Sequence, residues 1–96
     1  MKSFDENFVY DNLEEILSIF SKYNIKEVYM NYKEIIVVIS VKFKNKDFEP
    51  IYKIEEDLVD LCNKQNCVAL FTINNLVLYG QEMQASRGSI LLKTWT

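Results

Sequence analysis

The fold is decided by residues 35–43, which read Ile-Ile-Val-Val-Ile-Ser-Val-Lys-Phe. The first five of these residues are β-branched, and a helix penalises such a run whereas a strand accommodates it. Apolar residues on both faces predict a central strand that is covered on both sides. From Ile39 onward the pattern alternates, so Ile39, Val41 and Phe43 should share one face of the sheet.

Two elements are predicted upstream of this strand, a capped helix and a shorter strand. Residues 3–6 have the Ser-x-x-Glu form of a capping box that begins at Ser3, and apolar residues at helical spacing follow them. Together they predict a helix over residues 6–23 that ends near Asn24. Alternation then predicts a strand over residues 25–31, with its apolar residues on one face.

Downstream of the central strand the sequence predicts two helices and two strands. Glu49-Pro50 can open a helix, because proline at the first helical position loses no needed donor. The apolar stripe from Ile51 to Cys62 continues this helix, which is predicted to end around residues 64–66. Residues 67–73 are a second β-rich run. A short helix is predicted over residues 76–86, with asparagines before it as a cap and an Arg-Gly pair after it as its end. A final strand is predicted over residues 89–94.

The resulting order of elements, α-β-β-α-β-α-β, predicts an α/β (α+β) fold. We expect a mixed sheet of about four strands with about three helices. The chain has 96 residues, which fits one domain, so residues 1–96 are assigned to a single small domain.

The charge balance bears on the class of partner. The formal net charge is −3, and an acidic domain repels phosphate backbones unless its basic residues gather on one face. The loose cluster Lys42, Lys44 and Lys46 is interpreted as a solvated strand end. We therefore expect no nucleic-acid partner.

No membrane segment is expected in this sequence. The longest apolar run, residues 35–41, falls short of the roughly 18–20 residues that span a bilayer. Residues 1–6 turn acidic at once, which a signal peptide does not. We expect a cytoplasmic location by default, and the abundance of Lys, Asn, Ile and Tyr indicates an AT-rich genome, bacterial or phage.

Few residue types are left for catalysis. The chain has no histidine, which excludes Ser-His-Asp triads and histidine acid–base chemistry, and it has no phosphate-cradling Gly-rich motif. Cys62 and Cys67 are too few ligands for a structural zinc site and are interpreted as two small buried thiols. We assign no catalytic residue, no metal ligand and no cofactor.

A possible interaction surface is predicted from four polar and aromatic residues. Tyr29 and Tyr32 lie on and beside a strand end, where they could stack on a ligand or cover the rim of a core. Arg87, the only arginine, could bind a carboxylate or phosphate, or cap a helix. Asn31 lies at the same strand tip and completes the set; the sheet edge over residues 89–94 is a second candidate.

Several short strings follow one another in an order known from a protein family. They are Val41-Lys42-Phe43, the Leu- and Glu-rich residues 51–64, Val68-Ala69-Leu70-Phe71, Ile73-Asn74-Asn75-Leu76, Arg87-Gly88-Ser89 and Ile90-Leu91-Leu92. In this order they resemble the minimal nucleotidyltransferase domain, a branch of the polymerase-β-like superfamily. The resemblance covers roughly residues 35–94 and implies a scaffold that, in active members, carries metal-binding carboxylates.

The same resemblance implies that the catalytic carboxylates are missing from this chain. The two metal-binding acids of the family fall at Ile36 and Val38, and the third falls at Ala69; no Gly-Ser motif follows the first strand. Without these acids, two Mg²⁺ ions could not be held and phosphoryl chemistry would lack its charge clamp. The implied protein is a shortened domain that kept the scaffold and lost the site.

These observations lead to three hypotheses about function. The first is a non-catalytic protein-interaction module on a degenerate nucleotidyltransferase-like scaffold, which binds a protein partner or another copy of itself. The second is an antitoxin-like or regulatory partner in a bacterial or phage defence or toxin–antitoxin module, for which a toxin-like neighbouring gene would be the sign. The third is a small enzyme or nucleotide binder with an unrecognised site.

Overall fold

The computed structural model describes residues 2–45 and 51–96, and within them the β-branched run forms a strand, as predicted. The helices are α1 (Glu6–Asp11), α2 (Leu13–Ser21) and α3 (Ile51–Lys64). The strands are β1 (Lys2–Ser3), β2 (Ile25–Lys33), β3 (Ile36–Phe43), β4 (Cys67–Val68), β5 (Phe71–Asn75), β6 (Val77–Leu78), β7 (Gln81–Glu82) and β8 (Ile90–Thr94). This mixed α+β composition confirms the predicted fold class.

β3 holds an inner position in a four-stranded sheet whose order is β5-β3-β2-β8. It runs antiparallel to β2, from which it is separated by a turn at Glu34 and Ile35, and parallel to β5. Glu34 has a φ of 58°, the left-handed conformation that such a tight turn uses. β8 pairs antiparallel with β2 and forms one edge. A mixed sheet of four strands was predicted and is confirmed.

One face of this sheet packs against α2 and α3 and forms the core. Ile39, Val41 and Phe43 are at most 2% exposed, so the predicted alternation along β3 is confirmed. The other main contributors from the helices and β2 are Ile16, Phe20, Val28, Met30, Ile54 and Leu58. Burial of each such side chain stabilises the fold by roughly 1.5–3 kcal/mol.

The opposite face of the sheet is polar and only partly covered. Ser40 of β3 is buried there, but Ile36 and Val38 on the same face keep part of their surface exposed. The prediction that β3 is covered on both sides is therefore only half right. The helices lie on one face, whereas the other face meets irregular chain.

The N-terminal helix differs from its prediction in two ways. The capping residue is Asp5, whose carboxylate accepts a hydrogen bond from the Phe8 N–H at 2.8 Å, and Ser3 belongs to β1 instead. The predicted helix over residues 6–23 is also broken at Asn12, which has a φ of −118° and a ψ of 24°. The Asn12 amide donates to the Phe8 carbonyl at 2.9 Å, a local bond that competes with helix continuation.

The largest correction concerns residues 76–86, which are not a helix. They contain the β6–β7 hairpin, whose turn residues Tyr79 and Gly80 both have positive φ, 52° and 74°. The Asn75 side chain accepts from the Val77 N–H at 2.9 Å, which fixes a turn rather than a helix cap. Apolar residues at this spacing fit either element, and the positive φ pair selects the hairpin.

The remaining elements follow the prediction closely. α3 ends at Lys64, within the predicted end at residues 64–66, and the chain leaves it through Asn66 in the left-handed conformation, with a φ of 52°. The β-rich run over residues 67–73 is split into β4 and β5. The predicted helix opening at Glu49-Pro50 and the position of Lys46 lie outside the described residues.

Candidate functional site

The β8 edge is the most exposed apolar part of the sheet. In the described part of the chain β8 pairs with β2 alone, so its other side carries no strand. Ile90 and Leu91 are 45% and 50% exposed, whereas Leu92 packs against the core. The β2–β8 pairing shifts its register between Val28 and Tyr29, where β8 changes from the exposed Leu91 to the packed Leu92.

Two of the four predicted surface residues, Asn31 and Arg87, are brought together beside this edge. The Asn31 amide donates to the Ser86 hydroxyl and to the Arg87 carbonyl, both at 3.3 Å. Gly88 follows with a φ of +89°, and a Cβ there would lie 3.7 Å from the Asn31 oxygen. The structure therefore uses Asn31 to hold the segment that leads into β8. No helix ends at Arg87, so it caps none.

Tyr29 belongs to a polar cluster on the partly covered face of the sheet. Its hydroxyl donates to the Glu27 carboxylate at 2.9 Å, and Lys42 lies 3.4 Å from the same oxygen. Burial raises the pKa of Tyr29, and the hydrogen bond to Glu27 raises it further. We call Glu27, Tyr29 and Lys42 the sheet cluster. Its tyrosine is engaged within the fold rather than presented for stacking.

The sheet cluster also corrects the interpretation of Lys42 as part of a solvated strand end. The Lys42 side chain is only 13% exposed, and its backbone lies directly opposite Glu27 across the β2–β3 ladder. Glu27 was not among the site residues predicted from the sequence. The available signal was the register of the β2–β3 hairpin, because opposite charges at facing positions on one sheet face attract.

Tyr32 does not join the other three predicted residues. It is 43% exposed and lies one position after Asn31, so alternation along β2 places it on the opposite face from Tyr29 and Asn31. The predicted surface therefore separates into an Asn31–Arg87 contact, an internally bonded Tyr29 and an isolated Tyr32.

The three positions at which the nucleotidyltransferase resemblance implies lost carboxylates are only partly brought together. Ile36 and Val38 are two apart on β3 and share its partly covered face. Ala69 lies in the connection between β4 and β5 and is exposed. The hairpin at residues 77–82 also replaces the helix that the resemblance implies.

A second cluster of tyrosine, carboxylate and lysine lies between the end of α2 and the middle of α3. The Tyr23 hydroxyl donates to Asp57 at 2.6 Å, and Lys22 lies 3.0 Å from the same oxygen. Burial and the bond to Asp57 raise the pKa of Tyr23 to about 12, whereas the bonds from Tyr23 and Lys22 lower the pKa of Asp57. We call Lys22, Tyr23 and Asp57 the helix cluster. It borders an open groove of about 320 Å³ with mixed charges.

The two cysteines are buried and unbonded to each other, which confirms their interpretation as buried thiols. Burial, and then the neighbouring Cys67, raise the pKa of Cys62 to about 12. Burial also raises the pKa of Cys67. Both side chains are therefore protonated thiols at neutral pH, the less nucleophilic form.

Three features that would mark a further site or a membrane segment are absent from the described residues. Residues 2–45 and 51–96 contain no group of three or more His, Cys, Asp or Glu side chains placed to hold a metal ion. Within the same ranges every buried side-chain nitrogen or oxygen has a hydrogen-bond partner. No helix in this part of the chain is long and apolar enough to cross a membrane.

Comparison of the chain with protein-family models, with curated proteins and with solved structures finds no match.

Proposed function

We propose that this chain is a non-catalytic protein-interaction module that binds an extended segment of its partner along β8. The observation that carries the proposal is the free side of β8 together with the half-exposed Ile90 and Leu91. An edge strand offers unpaired N–H and C=O groups to a further strand, and neighbouring apolar side chains supply the contact area.

The backbone of β8 is oriented for such pairing. The Trp95 N–H donates to the Lys26 carbonyl of β2 at 2.8 Å. Successive N–H groups of a strand point to opposite sides, so the Thr94 N–H points away from β2. A partner strand would therefore find a donor at Thr94, next to the apolar residues of the same edge.

The fold also holds β8 in place before any partner binds, which favours it as a binding edge. Leu92 and Trp95 pack against the core, while Asn31 fixes the segment before β8 through two hydrogen bonds. A strand that is ordered before binding loses less conformational entropy when a partner is added. The nucleotidyltransferase-like origin of the scaffold stays a prediction.

A matched pair of leucine substitutions tests the proposal. The purified protein is used to capture a partner from cells of its host; the partner is then purified and its affinity measured by titration calorimetry. We expect Leu91→Thr to weaken binding about tenfold, as for a contact worth just over 1 kcal/mol, and Leu78→Thr to leave it unchanged. Leu78 is a fair control because it is 46% exposed on the β6–β7 hairpin.

Thr94→Pro tests the backbone pairing itself. Proline removes the outward N–H without removing a bond to β2, so the fold should persist by circular dichroism while binding is lost. Retained binding in both Leu91→Thr and Thr94→Pro would overturn the proposed surface. Turnover of a nucleoside triphosphate by the pure protein would overturn the non-catalytic assignment.

A further inference from the structure

We propose that the segment bound along β8 is acidic: an extended stretch with apolar residues at its centre and carboxylates beside them. This inference rests on the proposed function and specifies the chemistry of its partner. It is carried by the distribution of charge over the fold and by the position of Lys93.

Acidic and basic residues are unevenly distributed between the helices and the stretch that contains β8. The three helices carry eight acidic and two basic residues. From Met83 to Thr96, the stretch that contains β8 and leads into it, the chain carries Arg87 and Lys93 and no acidic residue. The β8 edge, one of the two edges of the sheet, therefore carries two basic residues on an acidic protein, and its complement is an acidic segment.

Both basic residues near the edge are available for a partner. Arg87 and Lys93 are exposed, and neither forms a salt bridge with any residue in 2–45 or 51–96. They lie on either side of the apolar residues Ile90 and Leu91. A bound segment would therefore meet one positive charge before its apolar contacts and one after them.

The same lysine disfavours a second copy of this chain as the partner. If two β8 strands paired antiparallel about Leu92, the two Lys93 side chains would lie near each other on one face. Like charges that close oppose pairing, and a lysine on an edge strand is a common protection against self-association. In this register the β8 edge thus disfavours its own copy and favours a strand of opposite charge.

Three capped peptides that share a valine-isoleucine-valine centre test the inference, with glutamate, glutamine or lysine at both ends. Binding is followed by the fluorescence of Trp95, the only tryptophan, which follows β8 directly. We expect the glutamate peptide to bind about tenfold more tightly than the glutamine peptide, and the lysine peptide to bind more weakly still. Raising the salt concentration should reduce the difference.

Charge reversal in the protein sharpens the test. Lys93→Glu should weaken binding of the glutamate peptide about tenfold and strengthen that of the lysine peptide. Lys53→Glu makes the same change of net charge on α3 and should leave the order of the three peptides unchanged. An unchanged order in Lys93→Glu would overturn the inference.

The outcomes separate this inference from the proposed function. Equal binding of the three peptides overturns the acidic partner but leaves strand addition at β8 intact. No binding of any peptide, together with retained partner binding in Thr94→Pro, overturns strand addition itself. A dimer at micromolar concentration that Thr94→Pro abolishes would assign the edge to a second copy and overturn the acidic partner.

Discussion

The helix cluster and the sheet cluster have the same composition but different geometry. In the helix cluster the tyrosine oxygen and the lysine nitrogen lie 2.6 and 3.0 Å from one carboxylate oxygen; in the sheet cluster the distances are 2.9 and 3.4 Å. The lysine side chain is 59% exposed in the helix cluster and 13% exposed in the sheet cluster. The first cluster joins α3 to the end of α2, and the second joins two strands connected by one turn.

This difference shows which group each cluster depends on. In the helix cluster the tyrosine connects residues far apart in the chain, while the exposed lysine is screened by water. In the sheet cluster the lysine is the shielded partner of a carboxylate directly opposite it. Both clusters satisfy their own polar groups, so neither presents an unpaired charge to a ligand, unlike the β8 edge.

The largest expected effect in this comparison is that of Tyr23→Phe. A hydrogen bond to a charged group contributes about 1.5–3 kcal/mol, and this one closes a long stretch of chain, so we expect a loss of about 2 kcal/mol in the free energy of unfolding. Tyr29→Phe should cost less, because Glu27 and Tyr29 are already close in the unfolded chain. Urea unfolding of both variants measures the difference; an equal or larger cost for Tyr29→Phe would contradict it.

The helix cluster should also make the free energy of unfolding depend on pH in the alkaline range. The pKa of Tyr23 is raised from 10.0 to about 12 in the folded protein, so its contribution is complete below pH 10 and is lost as the pH rises from 10 through 12. Because the pKa of Asp57 is lowered, its contribution is present above the ordinary carboxyl range and is lost in acid.

The measurement is the free energy of unfolding of the natural protein minus that of Tyr23→Phe, followed across this range. This difference in the free energy of unfolding should shrink between pH 10 and pH 12, because Tyr23 loses its proton there. Tyr29 and the two thiols are present in both proteins, so their contributions cancel. Tyr10→Phe, at a tyrosine that is 48% exposed, is the control and should follow the natural protein. A difference that stays constant up to pH 12 would show that Tyr23 is not the group responsible.

The smallest expected effect is that of removing the lysines. Lys42→Met should cost about 1–2 kcal/mol, because it leaves Glu27 shielded with only Tyr29 as a partner. Lys22→Met should cost less than about 1 kcal/mol, the usual range for an exposed ion pair. Thermal unfolding of the two variants side by side gives the order, and a larger cost for Lys22→Met would reverse the comparison.

The sequence predicts the central sheet well because its signals are local. The β-branched run becomes β3, alternation gives the buried face of β2 and β3, and helical spacing gives α3, which ends within the predicted range. Each of these patterns reports burial of one face of a regular element. The helix predicted over residues 76–86 is wrong for the opposite reason, because apolar spacing there fits a helix and a hairpin equally well. The left-handed conformation of Tyr79 and Gly80 selects the hairpin.

The candidate site could be predicted only in part. The edge at residues 89–94 and the residues Asn31 and Arg87 were predicted as candidates, but the contact between Asn31 and Arg87 was not, because Arg87 was expected at the end of a helix. The bonds that occupy Tyr29 were not, since they need the register that places Glu27 opposite Lys42. The placement of Tyr32 apart from Tyr29 likewise follows from alternation along a strand that continues to Lys33.

By itself, the sequence determined the class of fold, the inner strand, the face of the sheet that is buried and the absence of histidine chemistry. These depend on residue type and on spacing within one element. Only the tertiary structure decided that β8 pairs with β2, that Leu91 is exposed while Leu92 is packed, and that two tyrosines bond to carboxylates. Those features depend on strand order and register, which join residues that are distant in the chain.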